Sequence, residues 1–151
     1  MSGDIPEIAG VWILRSFQME EMETGHRIEV FGPNPRGVLI IHSGGRMAAL
    51  ITPKDQPEPV TEADKVAAFQ NLVAYSGRYR FEPPDRFVTT VDIAWFQPWI
   101  GTAQARKYKL DGDTLEIISA PQRNSFSKGL VVGVVSWVRE GSIADRGARA
   151  S

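Results

Sequence analysis

The stretch VLIIHSGGRMAALIT, residues 38–52, carries the clearest fold signal because two apolar runs flank the tripeptide Ser43-Gly44-Gly45. Glycine readily adopts the positive φ angles that tight turns require. Residues 38–42 and 46–52 are therefore predicted to form an antiparallel β-hairpin. Short apolar segments separated by glycine and proline recur throughout the chain, which indicates a mainly β protein.

Strand-like alternation continues on both sides of this hairpin. Residues 11–17 place Trp12 and Leu14 on one predicted face, and Arg15 and Phe17 on the other. Acidic residues follow, and they are predicted to form an exposed connection at residues 20–24. Further strands are predicted at residues 26–31, 72–82, 86–96, 102–110, 114–119 and 130–139.

A single short helix is predicted at about residues 61–72. Thr61 is a favoured N-cap residue, and the acidic residues that follow it suit the positive end of a helix. Val66 and Phe69 then fall at helical spacing. A helix of this length covers one end or one face of a sheet and does not form a helical domain.

These elements predict a closed, antiparallel, up-and-down barrel of about eight to ten strands. Closure removes the exposed edges that long adjacent strands otherwise present to solvent. A barrel of this size holds packed side chains or one small ligand. We assign residues 1–140 to a single barrel domain, and residues 141–151, which contain few apolar side chains, to a flexible tail.

Composition argues against several classes of function. The chain of 151 residues has 17 basic and 18 acidic residues, so it lacks the positive charge that nucleic-acid binding needs. It has no cysteine, and its two histidines are too few for a three-ligand zinc site. It contains no membrane-length apolar run, targeting signal or nucleotide-binding glycine motif. We therefore expect a cytoplasmic monomer or homodimer with no metal, cofactor, nucleic-acid partner or membrane association.

The first and the last strand of the predicted barrel each carry a tryptophan motif. GVW, residues 10–12, starts the first strand, and WVR, residues 137–139, ends the last. The first motif resembles the entry motif of lipocalins, in which the tryptophan closes the narrow end of the barrel under an arginine of the last strand. The resemblance implies that Arg139 stacks on Trp12 as a structural plug, a contact of roughly 0.5–2 kcal/mol.

Longer stretches resemble the small lipocalin-like domain family of bacteria and fungi. They are the hairpin at residues 37–47, AYSGRY at residues 74–79, VDIAW at residues 91–95, and the run from 99 to 121. The resemblance covers about residues 8–140 and implies a calycin-type barrel. Relatives tend to carry Ser and Asn where this chain has Ala94 and Phe96, so the pocket is more apolar here if those positions line it.

Asp92 is the ionisable residue of most interest because it lies in an apolar strand. A buried carboxylate without a partner is costly, so a partner is expected. Across the predicted hairpin the facing residues are Gln104 and Arg106, and Arg15 is a second candidate partner. We interpret Asp92 as a structural ion pair, as a cavity group that binds or protonates a ligand, or as an exposed carboxylate.

Aromatic residues are predicted either to fill the barrel core or to surround a pocket for a small molecule. The predicted ligand-binding residues are Met47, Phe69, Tyr75, Tyr79, Asp92, Trp95 and Arg106. The leading hypothesis is binding of a small apolar or aromatic molecule, oriented by Asp92, Arg106 or a tyrosine hydroxyl. The alternatives are a cavity enzyme of isomerase, cyclase or hydratase type with Asp92 as acid or base, and a packed barrel that acts as an interaction module.

Overall fold

A computed structural model of the protein describes residues 7–123, 129–143 and 145. Its strands are β1 (Gly10–Glu21), β2 (Arg27–Glu29), β3 (Arg36–Ile41), β4 (Arg46–Thr52), β5 (Val73–Glu82), β6 (Arg86–Ala94), β7 (Ala103–Asp111), β8 (Thr114–Ser119), β9 (Gln122–Arg123) and β10 (Leu130–Arg139). The helix α1 spans Glu62–Gln70, and a short 3₁₀ turn spans Gln97–Trp99.

Eight of these strands form a closed antiparallel barrel. Their order around it is β1, β3, β4, β5, β6, β7, β8 and β10, and β10 then pairs with β1. The two short strands extend the sheet locally, β2 beside β1 and β9 beside β10. The prediction of a mainly β, closed, up-and-down barrel with one short helix is therefore confirmed.

The first strand is longer than predicted and contains a β-bulge. It continues through Glu21, which pairs with Val131, so the predicted connection begins later. The register with β10 shifts between Leu14 and Ser16, which makes Arg15 an extra residue without a partner in that pairing. Arg15 points outward, and Phe17 joins the inner face instead of sharing the face of Arg15. The predicted sharing of a face was wrong because a bulge shifts the alternation by one residue.

A second bulge lies in the β5–β6 pair. Ser76 pairs with Ile93 and Gly77 pairs with Val91, so Asp92 is the extra residue. A Cβ atom on Gly77 would collide with the backbone of the opposite strand, which explains the need for glycine there. The bulge turns Asp92 to the outside of the barrel, where its side chain is 46% exposed.

The β6–β7 register also differs from the prediction. Gln104 lies opposite Thr89, and Arg106 lies opposite Phe87. The predicted placement of Asp92 across from these two residues was therefore wrong, because the register centres the turn between Phe96 and Gln97 and not near Pro98. Thr90 and Ala103 form the last paired residues before that turn.

Trp12 and Arg139 seal one end of the barrel. The indole of Trp12 is fully buried, and the guanidinium of Arg139 lies 4.3 Å from the ring centroid. Arg139 also donates hydrogen bonds to the carbonyl oxygens of Ala9 (3.1 Å) and Glu7 (3.2 Å). The Trp12 indole nitrogen donates to the Ile8 carbonyl oxygen at 2.9 Å. The stacking that the tryptophan motifs predict is thus present, and hydrogen bonds fix both partners.

The helix begins and ends close to its predicted limits. Thr61 caps it, and the Asp64 carboxylate accepts a hydrogen bond from the Thr61 backbone N–H, which completes a capping box. No residue of α1 is buried. Its link to the barrel includes Trp95, whose indole N–H donates to the Phe69 carbonyl oxygen at 3.2 Å. The helix is therefore held at the rim by a small aromatic contact.

The predicted flexible tail falls largely outside the described residues, which include only 141–143 and 145 of it. In this part Asp145 is buried, and its carboxylate accepts a hydrogen bond from the Gly141 backbone N–H at 2.8 Å. Within the described ranges, no helix has the length and apolar character needed to span a bilayer.

Replacing Arg139 by alanine removes the guanidinium from Trp12 and leaves the carbonyl oxygens of Glu7 and Ala9 without this donor. We expect Arg139→Ala to lower the free energy of unfolding by about 1–3 kcal/mol. Urea denaturation followed by fluorescence measures this quantity. The control is Arg36→Ala, which removes an exposed arginine at the start of β3 and should change it by less than about 0.5 kcal/mol. An equal decrease in the free energy of unfolding in both variants would contradict the role of Arg139 as a plug over Trp12.

Candidate functional site

A cavity of about 370 Å³ lies inside the barrel. Its lining residues are Phe17, Met19, Leu39, Met47, Ala49, Ile51, Val73, Tyr75, Phe87, Trp99, Arg106, Ile117, Ser119, Ala120, Pro121, Gln122, Gly133, Val135 and Trp137. The cavity reaches the exposed residues 120–122, which follow β8. Because β8 starts beside the Arg139 end of β10, these residues lie at the end opposite Trp12. The barrel is closed at one end and open at the other.

The cavity has an apolar side and a side with polar groups. Strands β1, β3 and β4 contribute only apolar side chains to it, which are Phe17, Met19, Leu39, Met47, Ala49 and Ile51. The polar groups come from β5 and from β7 to β9, and they are Tyr75, Arg106, Ser119 and Gln122. A ligand in this space therefore meets hydrocarbon on one side and hydrogen-bonding groups on the other.

Arg106 is the one charged side chain among the described residues that line the cavity. Its guanidinium donates to the Ala105 carbonyl oxygen at 2.9 Å and to the Gln104 side-chain oxygen at 3.0 Å. Both acceptors are neutral, and within the described ranges no carboxylate forms a salt bridge with Arg106. A positive charge thus faces the cavity without a counter-charge from these parts of the chain.

Tyr75 lies close to Arg106. Burial raises the pKa of the Tyr75 hydroxyl, and the positive charge of Arg106 opposes that shift. The Tyr75 ring packs edge-on against Trp99, with a centroid distance of 5.2 Å. The hydroxyl makes no hydrogen bond to any residue in the described ranges. Tyr75 therefore presents a neutral donor to the cavity at physiological pH.

Aromatic rings connect the cavity with the helix. Trp99 lines the cavity and packs edge-on against Trp95 at 5.0 Å between centroids. Trp95 in turn contacts the ring of Phe69 at 6.5 Å. Trp95 and Phe69 were predicted to contact a ligand, but the structure places them beside the opening and not in the cavity wall. Trp95 and Phe69 thus lie at the rim of the opening through which a ligand would enter.

Tyr79 belongs to the packed part of the core and not to the cavity wall. Its hydroxyl donates to the His42 carbonyl oxygen at 2.6 Å, and its ring packs edge-on against Phe81 and Phe87. Burial raises the pKa of this hydroxyl. Of the seven predicted ligand-binding residues, the structure brings three together in the cavity: Met47, Tyr75 and Arg106.

Asp92 lies outside the barrel in an ion pair with Arg46. The two guanidinium nitrogens of Arg46 reach its two carboxylate oxygens at 3.0 and 2.8 Å. These hydrogen bonds lower the pKa of Asp92, and its charge remains at neutral pH. Neither Arg106 nor Arg15, the partners considered from the sequence, forms this pair. Asp92 is therefore not placed to protonate or bind a molecule in the cavity.

Several lining residues escaped sequence reasoning. Phe17 was assigned to the outer face because the bulge at Arg15 has no clear sequence signal. Trp99 lies in the turn after β6, where alternation gives no orientation. Trp137 was considered as part of the terminal motif and as one of the aromatic residues that fill the core or surround a pocket. It lines the cavity, and its indole N–H has no acceptor among the described residues.

A wider depression of about 490 Å³ lies on the outer surface of the barrel. Its lining includes the exposed residues Arg15, Lys109 and Asp111. It is open and polar, so it offers little apolar surface to bury, and we place the candidate site in the interior cavity. The described residues contain no cluster of three or more His, Asp or Glu side chains suited to a metal ion.

The closed barrel with one plugged end agrees with a comparison of the sequence with known families. The lipocalin-like domain matches residues 9–140. This chain belongs to the lipocalin-like domain family. No curated protein shows significant sequence similarity to it. Membership in this family suggests ligand binding in general and confirms the resemblance to the lipocalin-like domain family seen over about residues 8–140.

Replacing Asp92 by asparagine tests its role in this lipocalin-like domain. The lowered pKa of Asp92 in the folded state means that its pair with Arg46 stabilises the fold at neutral pH. We expect Asp92→Asn to be slightly less stable than the wild type at pH 7. This difference should disappear as the pH falls through the lowered pKa, because the wild-type carboxylate then also becomes neutral. Urea denaturation across this pH range measures it.

The matched variant for this test is Arg46→Gln, which removes the other half of the pair. It also loses the hydrogen bond from Arg46 to Ser76 Oγ at 3.0 Å, so part of its loss of stability should persist at low pH. Neither substitution touches a residue that lines the cavity, so we expect unchanged binding of an apolar dye. A large loss of dye binding in Asp92→Asn without a change in stability would contradict the assignment of Asp92 to the outer surface.

Proposed function

We propose that this lipocalin-like domain binds one small apolar or aromatic molecule inside its barrel. The observation that carries the proposal is the open-ended cavity of about 370 Å³ with a mainly apolar lining. Ligand pockets in proteins range from about 300 to 1,000 Å³, so this space suits a ligand at the small end of that range. A core packed without a hollow would instead favour the interaction-module hypothesis.

Burial of apolar surface supplies the driving force for binding, at about 25 cal/mol per Å² of surface removed from water. The rings of Tyr75, Phe87 and Trp99 offer flat surfaces for an aromatic ligand. Met19 and Met47 have flexible thioether side chains that adapt to ligands of different shape. The cavity therefore favours small compact molecules over long rigid ones.

The positions of the ionisable groups favour binding over catalysis. General acid–base chemistry needs a titratable group within hydrogen-bond reach of the substrate. The described lining residues include no Asp, Glu or His, and Asp92 lies outside. Tyr75 is a poor base at neutral pH because burial raises its pKa. These facts support a binding protein, since the described lining residues offer the enzyme hypothesis no Asp, Glu or His as acid or base.

Filling the cavity should reduce binding. Ala49 lines the cavity, whereas its neighbour Ala48 points to the outer face of β4. We expect Ala49→Phe to weaken binding of N-phenylnaphthylamine, a neutral fluorescent dye, by about tenfold or more. Ala48→Phe adds the same ring outside and should bind the dye like the wild type. Fluorescence titration measures both dissociation constants.

Two results of this experiment would contradict the proposal. One is the absence of saturable dye binding to the wild type, and the other is equal binding to the Ala49→Phe and Ala48→Phe variants when both are folded. Native mass spectrometry of protein purified from its own host adds a direct observation. A small molecule that co-purifies with the wild type and is lost in Ala49→Phe would support the proposal and give the mass of the ligand.

A further inference from the structure

The volume of the cavity limits the size of the ligand, and the position of Arg106 indicates its charge. Arg106 is partly buried and lines a mainly apolar cavity. A guanidinium has five N–H donors, and the acceptors of Arg106 within the described ranges, the Ala105 carbonyl and the Gln104 amide oxygen, are both neutral. The guanidinium therefore retains donors and a full positive charge for a further partner.

Other arginines in the described ranges contrast with Arg106. Arg27, Arg46, Arg80, Arg86 and Arg139 each form a salt bridge with a carboxylate. Arg15, Arg36 and Arg78 form none, but they are exposed to water. Those side chains lie on the barrel exterior or at its plugged end, where water also solvates the charge. Arg106 faces the interior, where water screens charge less, and lacks this compensation. An anion in the cavity would supply it.

Groups near Arg106 fit the same kind of partner. The Tyr75 hydroxyl lies close enough for the charge of Arg106 to act on it, and it has no acceptor within the described ranges. Ser119, by contrast, already donates its hydroxyl proton to the Ala120 carbonyl oxygen at 3.2 Å and accepts from the Gly133 N–H at 2.7 Å. Among the described lining residues, the guanidinium and the phenol are neighbouring donors that together match an acceptor group with two oxygens, and the Trp137 indole N–H is a further donor without an acceptor.

We propose that the ligand of this cavity is an apolar monocarboxylate, with its carboxylate on Arg106 and Tyr75 and its aryl or alkyl body against β1, β3 and β4. This inference rests on the proposed function. A single cation balances a single negative charge, so a carboxylate suits the site better than a phosphate dianion. The planar fork of arginine also pairs with both carboxylate oxygens at once.

The experiment compares two compounds that share a ring system and side-chain length and differ in charge: naphthylacetic acid and naphthylethanol. Displacement of N-phenylnaphthylamine at pH 7 gives both dissociation constants. We expect the wild type to bind the acid about tenfold or more tightly than the alcohol. In Arg106→Gln the acid should lose this advantage, while the affinity for the alcohol stays within about twofold of the wild type.

Two further variants separate the charge of Arg106 from its other roles. Lys109→Gln removes a positive charge from the exterior of the same strand and should keep the preference for the acid. Arg106→Lys keeps the charge without the fork and should retain part of the preference. If Arg106→Gln does not fold, as judged by circular dichroism, the wild type and Arg106→Lys test the inference instead. The wild type should prefer the acid, and Arg106→Lys should show a smaller preference.

The outcomes distinguish this inference from the proposed function. Equal binding of acid and alcohol to the wild type would overturn the inference, and saturable binding of the dye would leave the proposed function standing. An acid preference that survives in folded Arg106→Gln, or that Lys109→Gln abolishes equally, would also overturn it. If neither the dye nor either compound binds, the proposed function and the inference both fail.

Discussion

Pairing between β1 and β10 is the constraint on which the rest of the structure depends. It joins the first strand of the barrel to the last and leaves no open edge between them. The pairing runs from Trp12 opposite Arg139 to Glu21 opposite Val131. The same pairing brings Arg139 over the indole of Trp12, so closure of the sheet and closure of one barrel end occur together. Without it the inner residues would line an open sheet and no enclosed cavity would exist.

Two β-bulges then decide which side chains enter the enclosed space. Both place a charged residue at the extra position, Arg15 in β1 and Asp92 in β6, and both side chains point outward. The bulge in β1 also returns Phe17 to the interior. Because these charges are directed outward, Arg106 is the charged group left inside the described lining, and the chemistry of the cavity depends on it.

Much of the fold follows from sequence, because strand alternation, glycine turns and the capped helix are local signals. The hairpin at residues 38–52 was predicted from such signals, whereas the Trp12–Arg139 contact was implied by the resemblance to lipocalins. The site was predicted less well, since a bulge or a shift in register by one residue reverses the face of every later side chain. Asp92 was misplaced for this reason, whereas Tyr75 and Arg106 lie where alternation brings them to the interior.

The central claim is that the closed barrel holds a hollow open to small molecules at the end opposite Trp12. Fluorine NMR of protein labelled with fluorotryptophan tests it directly, because the chain has four tryptophans at different depths. On addition of N-phenylnaphthylamine, the signals of Trp99 and Trp137 should shift, since both residues line the cavity, while the signal of the sealed Trp12 stays in place. Four unchanged signals, or a shift of Trp12 as large as that of Trp99, would contradict the account.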